Sequence, residues 1–339
     1  MENFKKVSVV ILNYNGKKWL EKFLPNVIAN CAYDWCEVVV ADNASTDDSI
    51  TFLNSHFPDI RCIINEENSG YAGGYNIALS QINATYYVLL NSDVELTSNW
   101  LPPLVEFMDQ HQDVAAVQPL IKSYNEKNKF EYAGAAGGFI DFLGYPFCRG
   151  RLFDSIETDT GQYNTNIECH WVSGACMLVR KNCFEQVGKL DADFFAHMEE
   201  IDICWRFRLA GYKLFCLPIS IVYHVGGGTL PQGSPRKTYL NFRNNLSMIA
   251  KNASILQGIF IIAPRLVLDG VAAFHSCFKR KNLLDLVAIL KAHLSFYGMT
   301  FKNLKKRKEV NQLKKQDIGL FPQSIIWQYF VLGKKKIDL

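Results

Sequence analysis

A doubly wound α/β domain with a mainly parallel sheet, followed by an amphipathic helical extension, is the fold class the sequence predicts. Two observations carry that prediction. Short β-branched apolar runs alternate with stretches of helical character through about residue 120, and polar loops follow four of those runs. Strands of a parallel sheet read as continuous apolar runs because helices cover both of its faces. The run 7–12 is the first strand, and a helix over about 17–30 leads to the run 37–41. A helix after Asp47, the run 60–64, a helix over about 72–82, the run 86–90, a helix over about 100–110 and the run 114–117 complete the series. From about 130 to 229 the chain is less regular and richer in glycine and aromatics, and 171–180 reads as completion of the same sheet. The expected division is a domain over 1–250, in halves of about 1–120 and 121–250, and a tail over 251–339.

Charge is distributed unevenly. Residues 1–229 hold 17 basic and 28 acidic side chains, a net of −11, whereas the remainder holds 19 and 5, a net of +14, so the overall +3 hides two regions that face different partners. With 49% hydrophobic and 20% charged residues, the chain of 339 residues is globular in composition, which excludes disordered, collagen-like and low-complexity classes. Its ten cysteines form no Cys-x-x-Cys pair and no zinc-like spacing, so they are expected to be reduced. The first residues show neither a secretory signal nor a lipid-attachment motif, and a cytoplasmic location is expected.

Four loops bring polar groups to one edge: Asn13, Tyr14 and Asn15 after the first strand, Asp42 and Asn43 after the second, 65–70 after the third, and Asn91, Ser92 and Asp93 after the fourth. Any one of them reads equally well as a turn or helix cap. Their joint placement points to the ligand crevice that open parallel sheets carry beyond the carboxyl ends of their strands. No Gly-x-Gly-x-x-Gly follows the first strand and no Gly-x-x-x-x-Gly-Lys-Ser/Thr occurs, which turns the reading away from hydride transfer and P-loop hydrolysis. Asp42 can accept hydrogen bonds from a base or ribose, and the glycine-rich 68–74 sets backbone amides ahead of a helix, which suits a nucleoside diphosphate. Asp93 offers a hard oxygen to Mg²⁺ or Mn²⁺, the alternative being a turn aspartate. His224, ahead of Gly226, Gly227 and Gly228, reads as an imidazole for the same metal or as a structural histidine. Glu199, Glu200 and Asp202 crowd three carboxylates together, which suits a general base and equally suits a helix N-terminus whose later arginines pair back.

In order and spacing these segments closely resemble the family 2 glycosyltransferases with the GT-A fold, particularly the rhamnosyltransferase-like branch. The resemblance covers about residues 5–250 through Val-Ser-Val-Val-Ile-Leu-Asn-Tyr-Asn, Val-Ala-Asp-Asn-Ala-Ser-Thr-Asp, Asn-Ser-Gly-Tyr-Ala-Gly-Gly-Tyr-Asn, Leu-Leu-Asn-Ser-Asp, Val-Ser-Gly-Ala-Cys-Met-Leu-Val-Arg and Glu-Glu-Ile-Asp-Ile-Cys-Trp-Arg. It implies an inverting transfer, in which an acceptor hydroxyl attacks the anomeric carbon of a nucleoside-diphosphate sugar (dTDP-rhamnose or a UDP-sugar) while a carboxylate takes its proton. By motif position it implies Leu12, Asn13, Tyr14, Asp42, Asn43, Gly70, Asn91 and Ser92 at the nucleotide, and Asp93 and His224 at Mn²⁺ or Mg²⁺. It further implies Glu200 as base, with Glu199 and Asp202 as alternates, and Trp171, Gly174 and Ala175 around sugar and acceptor. The family's Asp-x-Asp is here Asn91-Ser92-Asp93, and its Glu-Asp pair is Glu199-Glu200. A sugar-phosphate nucleotidyltransferase and a non-catalytic membrane scaffold are the rival readings.

The tail reads as amphipathic helices, its clearest stripe running through Leu283, Leu286, Val287, Leu290, Leu294 and Tyr297, with basic clusters at 279–281, 302–308 and 334–336. Gln257, Pro264, Arg265 and Asp269 interrupt the apolar run 255–274 and make it a poor membrane span. The stripes, together with Phe321, Ile325, Ile326, Trp327, Tyr329, Phe330, Val331 and Leu332 ahead of the last basic cluster, favour an anionic membrane surface over nucleic acid. Peripheral attachment to the inner face of the cell membrane is expected, with a saccharide or lipid-linked saccharide as acceptor.

Overall fold

The computed structural model describes residues 4–131, 134–226, 234–279, 282–316 and 318–337, with the backbone alone for 275–279. Gly227 and Gly228 of the glycine run, and Arg280 and Lys281 of the first basic cluster, lie outside the described residues, as do the side chains of Cys277 and Lys279. The alternation read from the sequence appears in order: β1 (Lys5–Asn13), α1 (Lys17–Asn30), β2 (Cys36–Asp42), α2 (Ser49–His56), β3 (Arg61–Ile64), α3 (Gly70–Leu79), β4 (Ala84–Asn91), β5 (Val94–Leu96), α4 (Leu101–Gln110) and β6 (Val114–Ser123). The less regular part supplies β7 (Gly138–Ile140), β8 (Pro146–Cys148), β9 (Arg151–Leu152), β10 (Ser155–Ile156), β11 (Ile167–Glu168), β12 (Cys176–Arg180), α5 (Lys181–Gln186), α6 (Glu199–Leu209) and β13 (Lys213–His224). Four helices follow: α7 (Pro235–Asn252), α8 (Ile255–Lys279), α9 (Leu283–Gly298) and α10 (Thr300–Leu313).

The main sheet runs β11-β13-β6-β12-β4-β1-β2-β3, with β5 added beside β13, and β7 to β10 form a second, antiparallel sheet. β3, β2, β1 and β4 are mutually parallel, while β12 is antiparallel to both its neighbours, β4 and β6. Successive strand residues enter opposite cores, as the two-residue period of a strand requires. Val10, Val39 and Leu89 pack with α3 and α6 on one face, and Val9, Val40, Val88 and Leu90 pack with α1 and α4 on the other. The described cysteines are all free, as their spacing predicted.

Residue 250, where the domain boundary was expected, lies inside α7. Lys251 and Asn252, at the end of that helix, hold the buried Asp202 of α6 at 2.8 and 2.7 Å. Arg307 of α10 donates to the carbonyls of Ala250 and Ala253. Further on, Phe321 N donates to Ile140 O at 2.8 Å and Ile325 N to Asp141 Oδ2 at 3.0 Å, laying the C-terminal segment against the second sheet. The tail is therefore built into the domain. Phe321 and Ile325, expected to face a membrane, pack on Phe139 and Phe147 instead, whereas Trp327, Phe330, Val331 and Leu332 remain exposed.

Candidate active site

The chain runs outward through β1, β2 and β3, then returns to place β4 beside β1, and this reversal opens a crevice at the carboxyl ends of those two strands. Register aligns its walls: Asn13 is opposite Asp42, Asp42 opposite Ile64, and Leu12 opposite Asn91. Buried Asn13 donates to Asp42 Oδ1 at 2.9 Å, Ser45 N donates to Asp42 Oδ2 at 2.8 Å, and Asn13 Oδ1 is left without a partner. Asn43 donates to Asn68 Oδ1 at 2.9 Å and to Gly70 O at 3.0 Å, and accepts from Asn65 Nδ2 at 3.0 Å. Three loops are thus stitched together by asparagines. Leu12 is partly buried at the same edge and Tyr14 is exposed.

The glycine-rich turn departs from expectation. Gly70 N is bonded to Asn68 Oδ1 at 3.0 Å, and Gly74 lies so close to Asn43 that a Cβ would fall 2.9 Å from its amide nitrogen. At Gly70, φ is +71° and a Cβ would fall 2.3 Å from Phe195 O. Gly70 and Gly74 permit close loop packing, the Gly70 amide is taken up by Asn68, and Gly70 also meets the loop ahead of α6.

Antiparallel pairing of β13 with β5 sets His224 opposite Val94, which brings its ring to Asp93. His224 Nε2 lies 3.1 Å from Asp93 Oδ1 and 3.3 Å from Asn91 Nδ2, and its Nδ1 lies 3.4 Å from Glu131 Oε2. Burial works against a charge on this imidazole, but the flanking carboxylates of Glu131 and Asp93 outweigh it and push the pKa up to about 10. Burial likewise acts to raise Asp93, and the His224 charge and hydrogen bond more than offset it, holding the carboxyl below its ordinary range. Among the described residues no group of three or more His, Cys, Asp or Glu side chains is arranged to hold a metal unaided. Asp93 Oδ2 is nevertheless buried without a partner, beside an imidazole, which fits a divalent cation whose other ligands come from a bound diphosphate. Glu131 is a site residue the sequence reading missed, since it lies in an irregular stretch with no motif around it.

The three carboxylates of α6 separate by environment. Asp202, an alternate base by sequence, is fully buried and bound by Arg206 at 2.8 Å, Lys251 at 2.8 Å and Asn252 at 2.7 Å. Glu199 is buried, with Oε2 unpartnered, and burial followed by the nearby Glu200 raises its pKa well above the ordinary value. Glu200 is partly exposed, and burial raises it too, opposed by backbone N–H groups at the helix start. The turn carrying Gly174 packs against it: a Cβ at Gly174 would lie 3.5 Å from Glu200 Cβ, and Tyr71 donates to Gly174 O at 2.6 Å. Ala175 O accepts from Asn91 N at 3.0 Å, tying this turn to the end of β4. Trp171 differs from expectation. Its indole is buried against Gly138 and donates to Phe139 O at 2.9 Å, which fixes it on β7.

The loop before α6 is strained, with positive φ at Phe195 (63°), His197 (70°) and Met198 (73°). Such backbone costs about 1–3 kcal/mol per residue and persists only where surroundings enforce it. Here α7 enforces it. Buried Asn244 donates to the carbonyls of Phe194, Ala196 and His197 at 2.9, 3.0 and 2.7 Å, and Arg243 donates to those of Asp193 and Phe194 at 2.9 and 3.1 Å. Neither residue carries a signal in the sequence beyond being polar within a helix.

The model of the family described as glycosyl transferase family 2 matches residues 8–188. The chain is similar to an N-acetylglucosaminyl-diphospho-decaprenol L-rhamnosyltransferase of Mycobacterium tuberculosis, at 25% identity over 64% of this chain and 75% of that one. Among solved structures, it is similar to GalNAc-T7 bound to UDP, GalNAc and Mn²⁺ (TM-score 0.56, 17% identity, 74% of this chain), of which it spans about half, 48%. It is also similar to a Pyrobaculum calidifontis mannosyltransferase bound to GDP-Man and Mn²⁺, with a TM-score of 0.52 and 17% identity over 92% of this chain and 86% of that one. The fold is GT-A, as the loop order implied.

Proposed function

The chain belongs to glycosyl transferase family 2, and on that premise we propose that it moves one sugar from a nucleoside-diphosphate donor to a hydroxyl of a saccharide or lipid-linked saccharide, with inversion, in the synthesis of a cell-surface glycan. The observation that carries this reading is that the β1/β4 crevice and the Asp93–His224 pair share one sheet edge, to which the Gly174–Ala175 turn beside Glu200 is tied through Asn91 N. The similarity to a rhamnosyltransferase supports a deoxyhexose donor such as dTDP-rhamnose, with a UDP-sugar as the second candidate.

In this reading the nucleotide enters beside Asn13, Asp42 and Asn91, where the unpartnered Asn13 Oδ1 accepts from the base or ribose. Asp93 would hold Mn²⁺ or Mg²⁺ through its unpartnered Oδ2, with His224 as a ligand once it releases the proton that its flanking carboxylates favour; when bound, the metal would neutralise charge on the leaving diphosphate. Glu200 accepts the acceptor's hydroxyl proton as that oxygen bonds to the anomeric carbon, while the bond from carbon to diphosphate oxygen breaks and the nucleoside diphosphate leaves with its electron pair. Glu131 fixes His224 from its other nitrogen and sets which face of the ring meets Asp93.

Peripheral membrane attachment is part of the proposal. By length and composition α8 is able to cross a membrane over Ile255–Phe274, and only 22% of that window is buried. Its polar residues turn inward: Arg265 and Asp269 are buried, pair with each other at 3.4 Å, and meet Leu143 O and His293. Apolar Leu256, Phe260, Val267 and Val271 face outward, as do Leu283, Val287, Leu290, Leu294 and Tyr297 of α9. A helical pair whose polar side faces protein and whose apolar side faces out suits the interface of a bilayer better than a span.

The deciding experiment is calorimetric binding of UDP, dTDP and GDP with and without Mn²⁺, for wild type and Asp93→Ala. One nucleotide binding in a metal-dependent manner that the variant loses is the expected result. Well-folded protein that binds none of them would overturn the transferase reading in favour of a non-catalytic scaffold.

A further inference from the structure

A groove of about 320 Å³ lies where α6, the turn between α7 and α8, and α10 meet, and sugar transfer makes no use of it. Its floor holds Trp205, Asn252 and Arg307, which are 1%, 4% and 8% exposed. Each carries a polar atom without a partner: Trp205 Nε1, Asn252 Oδ1 and Arg307 Nε. Burying donors and acceptors in that condition is unfavourable, and a ligand supplying the missing partners would recover the loss. Lys314 stands at the rim, and among the described residues no acidic side chain lines the groove. The first turn of α8, through Ile255, Leu256 and Gln257, opens on the same space; Ser254 Oγ caps the Gln257 amide at 3.3 Å, and the helix start adds the positive end of its dipole.

A guanidinium and an indole N–H with unpartnered buried donors, a helix start and a lysine at the rim around one space are the chemistry of a phosphate site. The lip is apolar. Ile255 and Leu256 are 64% and 70% exposed and continue into Ile259 and Phe260 on the outer face of α8. We propose that this groove binds a phosphate anion, supplied by the head group of an anionic phospholipid whose chains lie along that outer face. Asn252 Oδ1 then accepts from a head-group hydroxyl. The choice of lipid as the source rests on the membrane reading above.

The test follows the Trp205 indole N–H resonance of the full chain, assigned by its loss in Trp205→Phe, during titration with monomeric dihexanoyl phosphatidylglycerol, dihexanoyl phosphatidylcholine or inorganic phosphate. A saturable shift with phosphatidylglycerol, weak with phosphatidylcholine and weakened about tenfold or more by Lys314→Glu, is expected. Because Arg307 also braces the end of α7, the exposed Lys314 carries the substitution. A shift of equal affinity with inorganic phosphate supports the anion site and overturns lipid as its source. Silence with all three ligands overturns the site. Vesicle flotation run in parallel separates the two readings: binding to vesicles with a silent groove sinks the groove alone, and a responsive groove without vesicle binding sinks the membrane reading alone.

Discussion

Glu199 and Glu200 are neighbours in sequence, both raised by burial and each with an unpartnered Oε2, and the proposed base is the more exposed of the two. Glu199 is buried and favours its proton-bound form, while Glu200 is partly exposed with its Cβ against the Gly174 turn. Glu200→Gln keeps the shape and removes the proton acceptor, so turnover is expected to fall by about 10²–10⁴-fold while calorimetric donor binding persists. Undiminished turnover in that variant would reassign the base. Glu199 makes a separate prediction about stability. Because its folded pKa is raised, its contribution favours folding below the unfolded value and is lost as pH rises towards the folded one. Between those two values the native state holds a proton that the unfolded chain has released. Glu199→Gln is therefore expected to raise Tm, more at about pH 8 than at about pH 5. An equal change at both values would show that Glu199 is not held neutral.

At the scale of elements, α7 and α10 act as a clamp on the loop that aims α6. Asn244 and Arg243 hold its strained carbonyls from one side. Asp191, two residues before Asp193, is bound by Lys251 at 2.6 Å and by Lys306, and Lys302 binds Asp193 at 2.6 Å. Burial alone would raise the Asp191 carboxyl, but both lysines outweigh it and hold the group well below the usual range. This stabilisation is present above the ordinary carboxylate pKa and is lost only as pH falls through the depressed folded value. Arg243→Gln and Asn244→Ala should lower kcat, by about 10²-fold where the loop shifts by an ångström, and leave nucleotide affinity near wild type. Arg243 is only partly buried, so its variant is the better tolerated of the two. Equal losses of kcat and nucleotide affinity would mean that the loop serves the whole fold and not the base.

For the whole molecule, the C-terminal helices do two jobs through opposite faces. Inward, they supply Lys302, Lys306 and Arg307 to the clamp and to α7. Outward, Leu290 and Leu294 of α9 stand 55% and 71% exposed. Ending the chain at residue 250 would strip Lys251 and Asn252 from the buried Asp202, and removing partners from a buried charge costs about 3–5 kcal/mol. A truncated chain is thus expected to lose its cooperative thermal transition. Paired Leu290→Glu and Leu294→Glu changes should leave that transition intact and abolish flotation with anionic vesicles. Unchanged flotation would place the lipid contact elsewhere.

The sequence by itself determined the order of strands and helices, because strand burial on both faces leaves continuous apolar runs and each helix leaves its own period. It also determined which loops share an edge, since parallel strands all point their carboxyl ends the same way, and so Asn13, Asp42, Asn91 and Asp93 were legible one after another. Only the tertiary structure decided what each polar residue faces. Glu131 meets His224 across 93 positions of chain, Asn244 meets the loop before Glu200, Asp202 disappears into an ion-pair network, and the stripe of α9 turns outward. Periodicity reports that a face is apolar and composition reports that a residue is polar. Neither specifies the partner, because that is set by contacts between segments far apart in the chain.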